Sequence, residues 1–424
     1  MPVTQEPTHI HQHGSSIKKQ MLLSAIVLVI LLLCTTLALL YGRGYRLWFQ
    51  KGEPQVTKTG IFSIKSSPTG AQIYINNHLT AATDNSINLT PGKYNIRVSK
   101  DGYVDWQKDI EIKKEVVSSV NIQLFPQAPT LQSISTFGVE SLIPDPSGTK
   151  LAFKIASQSA KKNGIYVFDM TSRSFPVLAG QSNSTQLVDD TQDTFSQAHI
   201  SWSPDGKQLL ASISGTTANP TYYLLKTDNI NNTPQDITAT LPSILDTWQI
   251  QRKDKETALF KSLKPAVQKF AKTNFRIISW SPDENEILYQ ASESGQMPIF
   301  IQPRRIGNNL LYERRDLEKD SIYVYNTIED VNTRLVANVA TVCLTPETDC
   351  HNPFSWLPDS YHLLYVHDKK ISIVEDDGAN MTTIYAGPFV DHFVYPWPDG
   401  SKLVILTNLN NQTVIPTLYT VGLK

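Results

Sequence analysis

The amino-acid sequence predicts an all-β protein that carries one N-terminal transmembrane helix, a small β-sandwich, and a β-propeller of five to seven blades with a helical insertion. Three observations predict this arrangement. Residues 21–41 contain no charged side chain, residues 61–125 alternate apolar and polar side chains, and a tryptophan-containing turn motif recurs within residues 131–424. The predicted units are a cytoplasmic tail (1–20), a helix (21–41), a juxtamembrane linker (42–60), a sandwich (61–125) and a propeller (131–424).

Length and composition support more than one folded domain. A chain of 424 residues exceeds the roughly 250–300 residues at which a single hydrophobic core stops growing. Hydrophobic residues make up 40% and charged residues 18%, which is typical of globular proteins. The formal net charge of -1 lacks the positive excess that binding to a phosphate backbone requires, so nucleic acid is not an expected partner.

The charge-free run from Met21 to Tyr41 is long enough to cross a membrane as a helix. The apolar region of a signal peptide is shorter, about 7–15 residues, and a cleavage site with small residues follows it. Here Arg43, Tyr45 and Trp48 follow instead, a basic and aromatic cluster typical of a membrane interface. We therefore expect an uncleaved single-pass anchor in the plasma membrane.

Flanking charges do not decide the orientation of this helix. Lys18 and Lys19 precede it, whereas Arg43, Arg46 and Lys51 follow it. Long domains translocate largely regardless of such charges. We expect the N-terminus in the cytoplasm and the C-terminal domains outside it.

Three cysteines are too few for a disulfide framework. Cys34 lies in the apolar run, and Cys343 and Cys350 flank a short stretch that can turn the chain back on itself. A bridge between these two and a pair of free thiols both remain open. The tail histidines are interpreted as incidental, so no metal and no cofactor is expected: His9, His11 and His13.

The sandwich is predicted from alternation and turn chemistry. Ile73 and Ile75 fall on one face of their strand, and Ile96 and Val98 do so on another. Four turn signals separate the strands: Ser67-Pro68-Thr69-Gly70, Asn76-Asn77 for a tight hairpin, Pro91-Gly92 for a type II turn, and Asp101-Gly102.

This stretch resembles the PEGA domain. The naming motif reads Pro68-Thr69-Gly70-Ala71, with Thr69 in place of the glutamate, and Pro91-Gly92-Lys93-Tyr94 and Asp101-Gly102-Tyr103 follow in order. The resemblance implies a surface module without catalytic residues.

The propeller is predicted from five copies of one turn motif. The copies are Ser201-Trp202-Ser203-Pro204-Asp205-Gly206, Ser279-Trp280-Ser281-Pro282-Asp283, Ser355-Trp356-Leu357-Pro358-Asp359, Trp397-Pro398-Asp399-Gly400 and a degenerate Pro146-Ser147-Gly148. Their prolines lie 40 to 78 residues apart, where about 40–45 is usual for one blade, so insertions or an unmarked blade are expected. The repeats resemble those of the Tol-type, WD40-like β-propeller. The order of units resembles PEGA-containing bacterial membrane proteins.

The sequence carries none of the common catalytic motifs. It has no Gly-x-Ser-x-Gly elbow, His-Glu-x-x-His helix, P-loop or Rossmann fingerprint. The repeated Asp205, Asp283, Asp359 and Asp399 occupy turns, and radial symmetry would separate them beyond the 5–10 Å or so that paired catalytic carboxylates need. We predict a non-enzymatic binding or scaffolding protein of the bacterial cell envelope with a protein or cell-wall partner. The alternative is a propeller hydrolase acting on a cell-surface polymer.

The helical insertion is predicted between Arg252 and Lys272. Apolar side chains recur there at helical spacing, at Phe260, Leu263, Val267 and Phe270. Pro265 is expected to split or kink the helix. Either the lysines are simply its solvated face, or they contact an anionic partner such as lipid headgroups or a wall polymer: Lys261, Lys264, Lys269 and Lys272.

Overall fold

The computed structural model describes residues 14–42, 45–50, 53–135, 137–171, 184–214, 219–337, 352–391, 393–411 and 413–424. Within these ranges the chain forms a long N-terminal helix, a short hairpin, a β-sandwich and five four-stranded sheets. A pair of helices lies between the second and third of those sheets in sequence.

Helix α1 (Gly14–Gly42) contains the predicted membrane span. Residues 21–42 are long and apolar enough to cross a bilayer, and their side chains are exposed on every side of the helix. Strands β1 (Tyr45–Gln50) and β2 (Glu53–Lys58) then form an antiparallel hairpin in which Tyr45 faces Lys58. The predicted linker therefore contains regular structure.

The sandwich consists of seven strands in two sheets, ordered β6-β3-β9 and β5-β4-β7-β8. The strands are β3 (Gly60–Ser67), β4 (Gln72–Ile75), β5 (His78–Ala82), β6 (Asn85–Leu89), β7 (Gly92–Ser99), β8 (Trp106–Ile112) and β9 (Val117–Gln123). Their inward side chains form one core that includes Phe62, Ile73 and Ile96, all fully buried. The predicted alternation is confirmed.

Two predicted turns of the sandwich have different outcomes. Asn76 and Asn77 adopt φ values of 47° and 67°, the left-handed pair that a tight β4–β5 hairpin requires. The type II turn at Pro91-Gly92 is wrong. Gly92 begins β7 and is not in the left-handed region that this turn demands.

The propeller has five four-stranded blades in the described residues. Blade 1 is β11 (Glu140–Pro144), β12 (Lys150–Ile155), β13 (Gly164–Asp169) and β14 (Ser184–Asp189), and blade 2 is β15 (His199–Trp202), β16 (Gln208–Ile213), β17 (Thr221–Lys226) and β18 (Gln235–Asp236). Blade 3 is β19 (Phe275–Trp280), β20 (Glu286–Ala291), β23 (Ile322–Asn326) and β24 (Val331–Val336), with a small inserted hairpin of β21 (Gly295–Gln296) and β22 (Asp316–Leu317). Blade 4 is β25 (Phe354–Trp356), β26 (His362–His367), β27 (Lys370–Glu375) and β28 (Thr382–Tyr385). Blade 5 is β29 (Val394–Pro396), β30 (Lys402–Thr407), β31 (Thr417–Gly422) and the early strand β10 (Leu131–Ser133).

Strand β10 closes the ring. It pairs with β31, so the first strand of the unit completes the last blade. Apolar side chains are shared between blades 1 and 2, 3 and 4, 4 and 5, and 5 and 1. Each motif copy lies at the turn from the first strand of a blade to its second, and we call that end of the ring the turn end. The predicted propeller is confirmed, with five blades.

Helices α2 (Leu241–Ser262) and α3 (Pro265–Asn274) pack on blades 2 and 3, respectively. Trp248 of α2 packs with Leu210 of blade 2, whereas Val267 of α3 packs with Tyr289 of blade 3. The predicted helix over 252–272 is thus two helices, the first of which begins at residue 241. Lys264 has the extended conformation that a residue before proline favours, which ends α2.

Lys108 of β8 joins the sandwich to the propeller. Its ammonium group lies 2.7 Å from Glu375 Oε2 and also contacts the Asp377 carboxylate. Burial alone would lower the pKa of Lys108, but the two carboxylates more than offset this and raise it above its usual range. Glu375 also accepts hydrogen bonds from the Trp106 indole and from Asn380, the latter at 3.0 Å. Sandwich and blade 4 therefore share one buried polar network.

A second buried acidic pair lies beside this network. Glu286 of blade 3 accepts a hydrogen bond from Asn326 Nδ2 at 2.7 Å, and burial raises its pKa to about 7. Burial, together with the nearby Glu286 and Asp377 carboxylates, raises the pKa of Asp376 well above its ordinary value. Burial at the junction of blades 3 and 4 therefore favours the protonated forms of Glu286 and Asp376.

Candidate functional site

A central cavity of about 1110 Å³ runs along the propeller axis. First strands of blades 1, 3, 4 and 5 line it, together with Lys255 and Leu259 of α2. Its wall contains aromatic rings and prolines, among them Trp280, Trp356 and Tyr395. The cavity thus presents a large apolar surface whose residues lie on strands and turns of the blades.

Charged side chains of both signs surround this apolar wall. The exposed charged side chains that line the cavity are Lys255, Lys369, Glu284, Asp368 and Asp391. Asp145 also lines it, but its carboxylate is occupied by the backbone N–H groups of Thr149 at 2.7 Å and Lys150 at 2.6 Å. The charged groups available to a ligand therefore carry no dominant sign.

Two polar atoms of cavity-lining residues have no hydrogen-bond partner within the described part of the chain: Trp356 Nε1 and Ser279 Oγ. The motif tryptophan of blade 2 behaves differently, because Trp202 Nε1 donates to the carbonyl of Ile143 at 3.2 Å. A buried donor without a partner costs roughly 1–3 kcal/mol. Both atoms are buried from solvent, so they are a cost to the folded state near blades 3 and 4 and are not groups open to the cavity.

The motif aspartates lie in turns and do not line the cavity. Asp205 accepts hydrogen bonds from the Ser203 hydroxyl at 2.7 Å and the Lys207 N–H at 3.1 Å. The hydrogen bond from Ser203 is the main reason that the pKa of Asp205 is lowered. Asp283 and Asp399 make equivalent bonds within their own turns. These carboxylates stabilise the turns.

Asp359 differs from the other motif aspartates because it pairs with a histidine. Its Oδ2 lies 2.7 Å from His362 Nδ1. Burial opposes the charged form of each group, but their mutual attraction prevails, so that the pKa of Asp359 is lowered and that of His362 is raised. His362 in turn contacts Phe125 of the chain leaving the sandwich, with ring centroids 5.5 Å apart.

The four lysines singled out in the sequence are all exposed. Lys261 lies in the last turn of α2, Lys264 lies between the helices, and Lys269 and Lys272 lie on α3. The apolar stripe between them packs on blade 3, with Leu263 and Val267 buried. The basic face is therefore open to solvent while the apolar face is used by the fold. Cys343 and Cys350 lie outside the described residues, so their bridge stays a prediction.

Comparison with known proteins identifies the sandwich. Residues 59–128 match the PEGA domain family, which confirms that resemblance. No curated protein sequence matches the chain.

Similar solved structures come from bacteria. A protein described as TolB from Agrobacterium tumefaciens is 17% identical over 66% of this chain and 77% of its own, with a TM-score of 0.22. TolB from Acinetobacter baumannii is 12% identical over 78% of this chain and 59% of its own, with a TM-score of 0.21. These TM-scores are too low to support a fold assignment. The propeller is therefore identified from the order of strands in the five sheets.

Proposed function

We propose that this protein is a membrane-anchored, extracytoplasmic binding or scaffolding protein of the bacterial cell envelope, and that the axial cavity takes part of its partner. The observation that carries the proposal is the cavity itself, which combines an aromatic wall with exposed charged side chains of both signs. Concave, largely apolar surfaces with a few polar groups are the usual form of binding sites.

The cavity favours a segment of polypeptide as its occupant. Its volume of about 1110 Å³ exceeds the 300–1,000 Å³ or so typical of small-molecule pockets. Lys255, Lys369 and Glu284 provide both signs of charge around aromatic rings, which fits a mixed peptide better than a polyanion. An extended segment of an envelope protein meets both conditions.

Blocking the cavity is expected to weaken partner capture. Replacing Lys255 by tryptophan places a bulky ring at the cavity from an exposed position of α2, so the fold should tolerate it. We expect recovery of the partner from native membranes, with the full chain as bait, to fall about tenfold. Lys253→Trp is the matched control, since Lys253 is exposed on the same helix and does not line the cavity. Equal recovery by both variants would contradict a role for the cavity.

We further propose that the exposed lysines contact an anionic wall polymer. The four side chains form no ion pair with any described residue, so their charge is available: Lys261, Lys264, Lys269 and Lys272. Their apolar neighbours Leu263 and Val267 are already packed on blade 3, so the helices are held in place beneath the basic face.

Removing these four charges is expected to weaken binding of the full chain to isolated wall material at low salt. Binding by the parent should also fall as salt is added, because screening acts on exposed charges. The quadruple lysine-to-glutamine variant should bind less and respond less to salt. As a control, the exposed Lys65, Lys93, Lys226 and Lys370 are changed in the same way. If the two variants bind alike, the helices only pack on the propeller.

A further inference from the structure

Two strongly exposed apolar side chains meet beside the start of the sandwich. Ile306, in the insertion of blade 3, is 80% exposed, and Val117, the first residue of β9, is 60% exposed. Both line one surface groove of about 320 Å³. Ile328, 43% exposed, precedes Glu329 of the same groove. Single exposed apolar residues are common, but a converging group indicates a contact surface.

The path of the chain places this groove close to the end of the membrane helix. Helix α1 ends at Gly42, and Tyr45 opens a hairpin that returns the chain to Lys58, directly opposite Tyr45. Paired strands lie about 5 Å apart, so Lys58 is close to the point where the chain leaves α1. The hairpin therefore does not increase the distance between the end of α1 and the start of the sandwich.

Short contacts connect Lys58 to the groove. Its ammonium group lies 3.1 Å from Glu115 Oε1, and the N–H of Ile61 donates to the carbonyl of Val116 at 3.0 Å. Gly307, next to Ile306, packs on Val116, since a Cβ at that glycine would lie 3.4 Å from a Val116 methyl group. The exposed apolar side chains are thus on the part of the molecule that emerges first from the membrane.

Charged side chains of both signs accompany this patch. Glu111 and Glu329 line the groove, and the exposed Lys114 and Arg305 are near neighbours in sequence of Val117 and Ile306. Exposed apolar side chains next to a membrane anchor are typical of surfaces that rest in the interfacial region of a bilayer.

We propose that Ile306 and Val117 sit in the lipid interface of the bilayer that α1 crosses. This inference rests on the proposed membrane anchor. It adds a second point of attachment, through blade 3, which prevents the propeller from swinging on the hairpin. The insertion carrying Ile306 is itself bound to the sandwich, because Asn309 Nδ2 donates to the carbonyl of Asp109 at 3.0 Å.

The test measures the depth of a label at Ile306 in the full chain, inserted in nanodiscs of phosphatidylcholine and phosphatidylglycerol. Ile306→Cys, in a variant without the native cysteines, carries an environment-sensitive fluorophore. We expect a blue-shifted emission and strong quenching by lipids that bear a spin label near the headgroup. The control is Val414→Cys, which is 47% exposed in the loop between β30 and β31, at the end of the ring opposite the turn end.

The outcomes separate the patch from the anchor. A quenched label at Ile306 and an unquenched label at Val414 support the proposal. If the chain co-elutes with the nanodiscs but both labels show the same emission and quenching, the patch does not touch lipid, although the anchor stands. A chain that fails to enter nanodiscs overturns both proposals.

Discussion

Replacing Lys108 by methionine is expected to destabilise the protein by about 3–5 kcal/mol, because it leaves two buried carboxylates without their cation. Lys108 is only 13% exposed and contacts both Glu375 and Asp377. Since the pKa of Lys108 is raised, the side chain is charged at every pH at which the folded protein can be measured. The loss should be largest near neutral pH and shrink in acid, where Glu375 and Asp377 are protonated.

Chemical unfolding of the full chain in detergent, followed by tryptophan fluorescence, measures this effect. Trp106, one of seven tryptophans in the chain, donates to Glu375 at the same junction and contributes to the change in emission on unfolding. The triple variant Lys108→Met, Glu375→Gln, Asp377→Asn should recover much of the loss because it removes the unpaired charges. Lys65→Met is the control, since Lys65 is exposed on the same sandwich. A Lys108 variant as stable as the Lys65 variant would show that the cluster contributes nothing.

Replacing Glu286 by glutamine is expected to increase stability by about 2–3 kcal/mol above neutral pH. Burial raises the pKa of Glu286 from 4.5 in the unfolded chain to about 7 in the folded protein. The folded state therefore binds a proton that the unfolded state releases, and stability falls as pH rises between these two values. Glutamine keeps the contact with Asn326 and has no proton to lose.

The pH dependence of the free energy of unfolding tests this expectation. The parent should lose stability from about pH 5 to pH 8, and the Glu286→Gln profile should be flatter. A residual slope of the same sign is expected from Asp376 and His362, whose raised pKa values give stability that is lost as pH increases. Glu284→Gln, an exposed neighbour, serves as the control. Parallel profiles for the parent and the Glu286 variant would contradict the assignment of the buried proton to this site.

Local patterns in the sequence predicted much of this fold. Alternation at Ile73 and Ile75 identified strand faces, and asparagines with a left-handed preference identified the β4–β5 hairpin. Each copy of the turn motif marked one blade, since the turn recurs between the first and second strands of every blade, even in blade 1, where the copy has no tryptophan. These features depend on residues close together in the chain.

Features that depend on distant residues were not predictable. Strand β10 has only three residues and no pattern, yet it closes the ring by pairing with β31. Lys108 and Glu375 are 267 residues apart in the sequence, and nothing in the sequence around either residue indicates that they pair. The amphipathic pattern located the helical insertion. The first part of α2 is mostly exposed and has too few regularly spaced apolar residues to show where the helix begins. The cavity likewise arises only when four separate blades assemble.

We propose that the propeller and its cavity lie outside the cytoplasm on a membrane anchor, and reporter fusions after Lys424 test this orientation most directly. A reporter that is active only outside the cytoplasm should be active there, and the same reporter placed before α1 should be silent. A cytoplasmic reporter should give the reverse pattern. Activity of only the cytoplasmic reporter after Lys424 would invert the orientation and contradict a function in the cell envelope.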